Sequence, residues 1–460
     1  MIFSSSVFLF LFLPAVLLLY YTVCRNNIKM KNILLLLSSL FFYAWGEPIV
    51  VFLMILSIVV NYFMGLLMNG EHKKFFIAVT VIFNLSFLFF FKYLDFMLET
   101  VGVILHRDIV KTNIALPIGI SFYTFQSMSY VIDVYRGVAK LQKNPINVGL
   151  YVSLFPQLIA GPIVRYATVE EEIMGRKETL EGFSQGVERF IVGLSKKMII
   201  ANNVGFLADT IYALKSSQLN MAFLWLAAIA YTLQIYFDFS AYSDMAIGLG
   251  RMFGFHFEEN FNYPYVSKSI TEFWRRWHIS LSTWFRDYVY IPLGGNRVSM
   301  VRHVFNLFVT WLCTGIWHGA NWTFIVWGLY FFVFLILEKF LRLDKAFKYV
   351  GHLYTMLVVI ISWVIFRAEN MGLAIQYISK MFSLDFASFA NVDFLWYLKK
   401  FSAIIVFGIL FSIPIAKKAE EKLKEKNLDF IKHIFLMFLL ILSVSFMFRS
   451  NYNPFIYFNF

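Results

Sequence analysis

Apolar runs that approach or reach the length needed to cross a lipid bilayer recur from one end of this chain to the other. A helix needs about 20 predominantly apolar residues to span the hydrocarbon core. Charged residues make up only 15% of the 460 residues, against about 25% in soluble domains. The sequence therefore predicts an all-α polytopic membrane protein, as a single integral membrane domain over residues 1–460. The predicted spans are residues 3–23, 49–68, 75–93, 221–237, 304–317, 322–338, 350–366, 401–416 and 431–448.

The net charge of +12 comes largely from basic residues in short loops between the apolar runs. Such loops favour the cytoplasmic side and anionic lipid headgroups, so the basic balance indicates a membrane partner and no nucleic acid. Arg25, Lys29 and Lys31 directly follow the first run, which places the N-terminus outside the cell membrane. No basic region precedes that run, so it is predicted to be a retained helix rather than a signal peptide. Cys24 and Cys313 provide neither a disulfide framework nor a zinc spacing.

Two segments mix proline, glycine and polar residues into apolar surroundings. They read LPIGISFYTFQSMSYVIDVYRG over residues 116–137 and FPQLIAGPIVRY over residues 155–166. Irregular backbone at membrane depth is tolerated only where it is buried in protein or lines a wet cavity. Both segments are candidate tunnel-lining or re-entrant pieces, and ordinary kinked helices are the alternative.

Acidic side chains follow the apolar run at residues 221–237. The segment reads YFDFSAYSDMAIGLGRMFGF and carries Asp238, Ser240 and Asp244 at the predicted end of a span. Ionisable groups at membrane depth are functional candidates by default, and helix capping or headgroup contact is the alternative. The glycines that follow lack the strand and the lysine of a phosphate loop, so close helix packing explains them better. Lys196 and Lys197, upstream, predict a further membrane boundary.

A histidine lies in a basic, aromatic stretch at residues 274–288. At helical spacing, one stripe is aromatic and a second, adjacent line is polar, as in an amphipathic helix at a membrane boundary. The polar line contains Arg275, His278, Ser282 and Arg286. His278 is therefore a candidate for catalysis, with a headgroup or capping partner as the alternative.

The second histidine is His318, at the end of the apolar segment NLFVTWLCTGIW. Burying an imidazole there is unfavourable unless it is hydrogen-bonded or faces water, and Gly315 and Gly319 would let a helix or a ligand approach it. A neutral imidazole can take a proton from a hydroxyl or a thiol. His318 is therefore the candidate general base, and two histidines without nearby cysteines make a weak metal site. No metal is expected.

Two features near the C-terminus complete the pattern. The segment KKAEEKLKEK, residues 417–426, has opposite charges at spacings of three and four and predicts a solvated helical loop. The terminal NPFIYFNF is too aromatic for a free tail and is predicted to pack at an interface.

These motifs resemble the membrane-bound O-acyltransferase (MBOAT) family, and within it the bacterial branch that O-acetylates polysaccharides such as alginate and peptidoglycan. The resemblance rests on YFDFSAYSDMAIGLGRMFGF, TEFWRRWHISLSTWFRDYVYIPLGGNR and GIWHGANWTFIVWG. FSSSVFLFLFLP, FPQLIAGPIVRY and FIYFNF are similar to that branch as well, so the resemblance covers nearly the whole chain. It implies a bundle of roughly 11 or more transmembrane or re-entrant helices around a central tunnel.

The family resemblance implies that His318 is the catalytic histidine and that His278 is the second motif histidine. It implies an acetyl group taken from a cytosolic thioester such as acetyl-CoA and moved across the membrane. A separate extracytoplasmic partner of the SGNH-hydrolase type would then esterify the polysaccharide. The anionic donor could dock at the bases beside the histidines, which are Arg275, Arg276, Arg286 and Arg297. Candidate tunnel-lining or orienting residues are Asp238, Ser240, Asp244, Trp317 and Asn321.

Two other readings of the sequence remain open at this point. One is D-alanyl transfer to teichoic acid, the activity of a sister branch of the family. The other is a transporter or channel in which His318 gates the pathway or relays protons. The sequence does not name the polymer.

Overall fold

In the computed structural model the chain is helical, and among the residues it describes there is no strand. It describes residues 1–159, 161–215, 218–342, 349–383, 392–426, 428–449 and 452–459, with only the backbone of the last two. The chain forms two compact units. The N-terminal unit contains Met1–Phe190 and Tyr242–Glu258, and the C-terminal unit contains Ile191–Ala241 and Glu259–Phe460.

The first helices of the chain follow the apolar runs. The break at Trp45-Gly46-Glu47-Pro48 separates two of them, as expected from the proline and glycine. The fourth helix continues to Leu105, well beyond the end of the predicted span at 75–93. The helices are α1 Phe8–Tyr21, α2 Ile28–Ala44, α3 Val51–Leu67, α4 Lys73–Leu105, α5 Ile120–Arg136, α6 Pro145–Ser153 and α7 Tyr166–Gly175.

Two long helices contribute residues to both units, α8 Leu180–Tyr212 and α9 Met221–Met252. The predicted span at 221–237 therefore ends too early, because α9 continues for several turns and places Asp238 and Asp244 inside a helix. In the N-terminal unit, a Cβ at Gly248 would lie 2.6 Å from the backbone oxygen of Gly186. The glycine-rich sequence of α9 thus serves close helix packing, as predicted.

The remaining helices belong to the C-terminal unit. The charged segment at 417–426 is helical and carries no buried residue, which confirms the prediction of a solvated helix. The helices are α10 Ile270–Arg276, α11 Ile279–Phe285, α12 Met300–His318, α13 Trp322–Leu341, α14 Gly351–Arg367, α15 Met371–Met381, α16 Val392–Phe411, α17 Ile415–Glu425 and α18 Asp429–Arg449.

Six of the described helices are long and apolar enough to cross a membrane, namely α4, α8, α9, α13, α16 and α18. Three shorter apolar helices, α1, α3 and α14, add to them. The chain is thus a multi-pass membrane protein, whereas the count of about 11 spans stays a prediction.

The segment at 116–137 forms a regular helix, α5, after a left-handed Gly119. The helix is buried on almost every face, including Thr124, Gln126 and Ser127. In the second segment Phe155–Leu158 form one helical turn, and residues 161–165 have no helical geometry before α7 begins. Of the two readings, a helix fits the first segment and irregular buried backbone fits the second.

Candidate functional site

The histidine stretch folds as a helical hairpin with His278 at its tip. The amphipathic helix predicted over 274–288 is wrong, because α10 ends at Arg276 and α11 begins only at Ile279. Trp277 is extended, and His278 has the left-handed conformation, with φ 44° and ψ 54°. Histidine is one of the few side chains enriched in that region. The break turns His278 away from the polar line and into the protein, where its side chain is 1% exposed.

Polar side chains hold both the entry and the tip of this hairpin. The carboxylate of Glu338 on α13 accepts hydrogen bonds from the Thr271 backbone N–H at 2.9 Å and the Thr271 hydroxyl at 2.7 Å, and from the Ile270 N–H. At the tip, Asn260 accepts from the Ser280 backbone N–H at 3.1 Å and the Ser280 hydroxyl at 2.9 Å. Helix starts leave unpaired N–H groups that such acceptors satisfy, so these contacts fix the direction of α10 and α11.

His278 faces aromatic side chains and one hydroxyl. Its Nε2 lies 3.0 Å from the hydroxyl oxygen of Tyr457, near the C-terminus. Its ring centroid is 6.0 Å from that of Phe261 and 6.1 Å from that of Trp317. The imidazole is therefore held between an apolar wall and one polar contact.

His318 lies at the end of α12 in an aromatic enclosure. The rings of Trp317, Trp327 and Phe366 stand edge-on to the imidazole, with centroids 5.1, 4.8 and 5.2 Å away. Trp317 also borders His278, with ring centroids 6.1 Å apart. The two histidines are remote in sequence, but both lie beside the same indole ring.

Glycines allow the enclosure to close. A Cβ at Gly315 on α12 would lie 2.6 Å from the Phe324 backbone oxygen, and one at Gly328 on α13 would lie 2.5 Å from the Trp311 backbone oxygen. Real Cβ atoms do not approach backbone that closely, so α12 and α13 pack with their main chains in contact. This confirms that Gly315 allows the close approach of another helix, which brings Trp327 of α13 beside His318.

Four arginines were predicted to dock the donor beside the histidines. Arg275 and Arg297 are exposed. Arg276 forms an ion pair with Glu272 at 2.9 Å and donates to the Asn262 backbone oxygen at 3.2 Å. Arg286 pairs with the adjacent Asp287 at 2.6 Å. Two of the four positive charges are thus partly neutralised by neighbouring carboxylates.

The predicted orienting residues separate into those near the histidines and those elsewhere. Trp317 lies beside both imidazoles. Asn321 caps α13 by accepting from the Thr323 N–H at 3.0 Å and donates to the Glu369 backbone oxygen at 2.8 Å, which is a structural role. Asp244 belongs to the N-terminal unit, where it pairs with Arg189 at 2.6 Å. Ser240 is buried, and its hydroxyl has no hydrogen-bond partner among the described residues.

Asp238 does not contact an imidazole directly. It pairs with Lys197 of α8 at 2.6 Å, and both side chains are almost fully buried. The Lys197 ammonium group thus lies in the interior of the C-terminal unit, and the membrane boundary at Lys196 and Lys197 stays a prediction. The second carboxylate oxygen of Asp238 accepts from the backbone N–H of Ile456 at 3.0 Å.

Sequence reasoning missed three parts of the site: Glu338, the role of Lys197, and Tyr457. A lone carboxylate in an apolar run was a usable signal for Glu338, because burying it requires several donors. The terminal aromatic run was predicted to pack at an interface, but no local pattern indicates that its tyrosine reaches His278. Among the described residues, no three histidine, cysteine or acidic side chains are grouped as a metal-ligand set.

Burial makes the folded state sensitive to acid at His278. Desolvation lowers the pKa of His278 from 6.5 to about 3, so the folded protein keeps this imidazole neutral while the unfolded chain protonates near pH 6.5. The unfolded state then binds more protons, and the free energy of unfolding falls as the pH drops from about 6.5 towards 3, by up to about 1.4 kcal/mol per pH unit. Thermal unfolding of the purified protein at several pH values measures this slope. His278→Asn, which suits left-handed backbone, should flatten it, and an unchanged slope in that variant would contradict the assignment.

Comparison with known proteins identifies the family of this chain. The MBOAT family model, described as the membrane-bound O-acyltransferase family, matches residues 139–374, which include both histidines. The chain belongs to this family and is an acyltransferase.

Its relatives carry more specific names. The chain is 44% identical to the probable alginate O-acetylase AlgI of Azotobacter vinelandii, over 89% of this chain and 85% of the relative. It is 33% identical to the peptidoglycan O-acetyltransferase of Helicobacter pylori, over 100% of this chain and 98% of the relative. A more distant match is the teichoic acid D-alanyltransferase of Bacillus subtilis, 29% identical over 52% of this chain and 62% of the relative.

Proposed function

We propose that this protein takes an acetyl group from a cytosolic thioester such as acetyl-CoA and moves it across the membrane for O-acetylation of an extracytoplasmic polysaccharide. The observation that carries the proposal is the pair of buried histidines that both lie beside the Trp317 ring. The two relatives matched over most of their length are named for O-acetyl transfer on alginate and peptidoglycan. The proposed MBOAT domain comprises the whole of residues 1–460.

The proposed reaction requires a general base and a thioester carbonyl that is shielded from water. In the proposed reaction, His318 takes the proton of an acceptor hydroxyl while the hydroxyl oxygen attacks the thioester carbonyl. A new C–O bond forms, the C–S bond breaks, and the imidazolium returns the proton to the departing thiolate. A buried imidazole suits this role because electrostatic interactions are stronger in a low-dielectric enclosure.

The donor and the acceptor would approach from opposite sides of the membrane. Arg275 and Arg297, both exposed, are the best placed of the four arginines to attract the anionic donor, since Arg276 and Arg286 already have carboxylate partners. The N-terminus is proposed to lie outside the bacterial cytoplasmic membrane. A separate SGNH-hydrolase-type protein would receive the acetyl group and esterify the polymer.

Acetyl quantification in a deletion strain tests this function. We expect alkali-labile acetate in the purified peptidoglycan or exopolysaccharide to fall to background in the deletion strain and to return with the wild-type gene. Ester-linked alanine lost in place of acetate would support D-alanyl transfer, the activity named for the Bacillus subtilis relative. Solute flux through protein-containing vesicles without any thioester would support a transporter. Acetate that is unchanged in the deletion strain would contradict the proposal.

A further inference from the structure

The segment at residues 452–457 is attached to the C-terminal unit at nearly every residue. We call it the C-terminal strap. The Tyr452 hydroxyl donates to Asp209, and the side-chain amide of Asn202 donates to the Asn453 side-chain oxygen at 3.3 Å. Asp209, in turn, pairs with Arg367 of α14 at 2.6 Å. The strap therefore follows α8 in a defined register and does not lie loosely against it.

The centre of the strap is held by the buried ion pair of Lys197 and Asp238. The Lys197 ammonium donates to the Pro454 backbone oxygen, and Asp238 accepts from the Ile456 N–H at 3.0 Å. The two charges thus neutralise each other at 2.6 Å and direct further hydrogen bonds to the strap main chain. Both partners are needed to bind the strap main chain, because an ammonium group only donates hydrogen bonds and a carboxylate only accepts them.

The next residue of the strap reaches the candidate site. The Tyr457 ring stacks on Phe239, which follows Asp238 in α9, with centroids 4.4 Å apart and an interplanar angle of 24°. Its hydroxyl oxygen then lies 3.0 Å from His278 Nε2. The position of this hydroxyl depends on the main-chain contacts one and three residues before it.

We propose that Lys197 and Asp238 are positioning residues that clamp the C-terminal strap so that the Tyr457 hydroxyl orients the His278 imidazole for acyl transfer. The proposal rests on the proposed function, because orientation matters only if His278 takes part in that reaction. A purely stabilising role explains the pair poorly. Well-packed apolar side chains of similar volume usually replace a buried ion pair without loss of stability.

A charge swap separates positioning from stability. In the double variant Lys197→Asp/Asp238→Lys the ion pair can re-form, but Asp at 197 cannot donate to Pro454 and Lys at 238 cannot accept from Ile456. We expect wild-type amounts in the membrane, acetyl transfer lowered about tenfold or more, and faster backbone hydrogen exchange in a peptide that covers the strap. Swapping the exposed pair Lys111→Glu/Glu99→Lys provides a control, which should change none of the three measurements.

A second double variant keeps the test decisive if the charge-swapped protein misfolds. Lys197→Met/Asp238→Leu removes both charges and should reproduce the loss of transfer and the faster strap exchange. Wild-type transfer in either double variant, or lost transfer with the strap still protected from exchange in both, would overturn the positioning role. A wild-type protein that transfers no acetyl group would contradict the proposed function, and strap exchange in the variants would still decide whether the pair clamps the strap.

Discussion

Replacing His318 with alanine is expected to lower O-acetyl transfer about a thousandfold while the protein remains in the membrane. A positioned general base contributes about 10²–10⁴ to the rate of a proton-transfer step. No other imidazole lies at the end of α12, and His278 is already in contact with Tyr457. Alkali-labile acetate in purified envelope polysaccharide, normalised to membrane protein, measures the loss.

The exposed His433 on α18 offers a matched control. His433→Ala removes the same side chain outside the candidate site and should leave acetylation unchanged. His318→Gln tests the base more finely, since an amide can donate and accept hydrogen bonds but cannot act as a base near neutral pH. Normal acetylation in His318→Ala would remove His318 from the proposed mechanism.

The largest expected effect on stability comes from Gly328→Ala. The added Cβ would lie 2.5 Å from the Trp311 backbone oxygen and 3.0 Å from the Gly315 Cα. These are backbone atoms, so α12 and α13 must separate, which typically costs about 1–3 kcal/mol for an overpacked core. The separation also moves Trp327 away from His318, so transfer should fall with stability. Thermal unfolding of the purified protein in detergent measures the loss of stability, and alkali-labile acetate in purified envelope polysaccharide measures the loss of transfer.

Gly175→Ala is the control for this prediction, because a Cβ at Gly175 meets nothing within 4 Å. Its melting temperature should match that of the wild type. An unchanged melting temperature for Gly328→Ala would show that the two helices can separate at no cost, contrary to the packing described above.

The features that could be predicted from sequence are those with a local signal. Apolar length located most of the membrane helices, and α17 followed from the charge spacing at 417–426. His318 was found because an imidazole in an apolar run is costly. The sequence around His318 resembles a family motif, and this resemblance implies the catalytic role that physical reasoning alone left open. The family match at residues 139–374 confirms the family.

The features that could not be predicted depend on contacts remote in sequence. The helical spacing of 274–288 continues through Trp277 and His278, so periodicity could not reveal the break, after which Asn260 accepts hydrogen bonds from Ser280 of α11. The burial of Lys197 could not be foreseen, because its partner, Asp238, lies on another helix. The position of Tyr457 follows from that same pair.

The ring enclosure of His318 also bears on how an acyl group would be kept from hydrolysis. An imidazole that removes a proton from a sugar or relay hydroxyl could equally remove one from water, so the base itself cannot distinguish the two. His318 is only 6% exposed, and its neighbours are indole and phenyl rings. Excluding solvent prevents such side reactions. Whether the acetyl group is transferred or lost by hydrolysis would therefore depend on the packing of Trp317, Trp327 and Phe366.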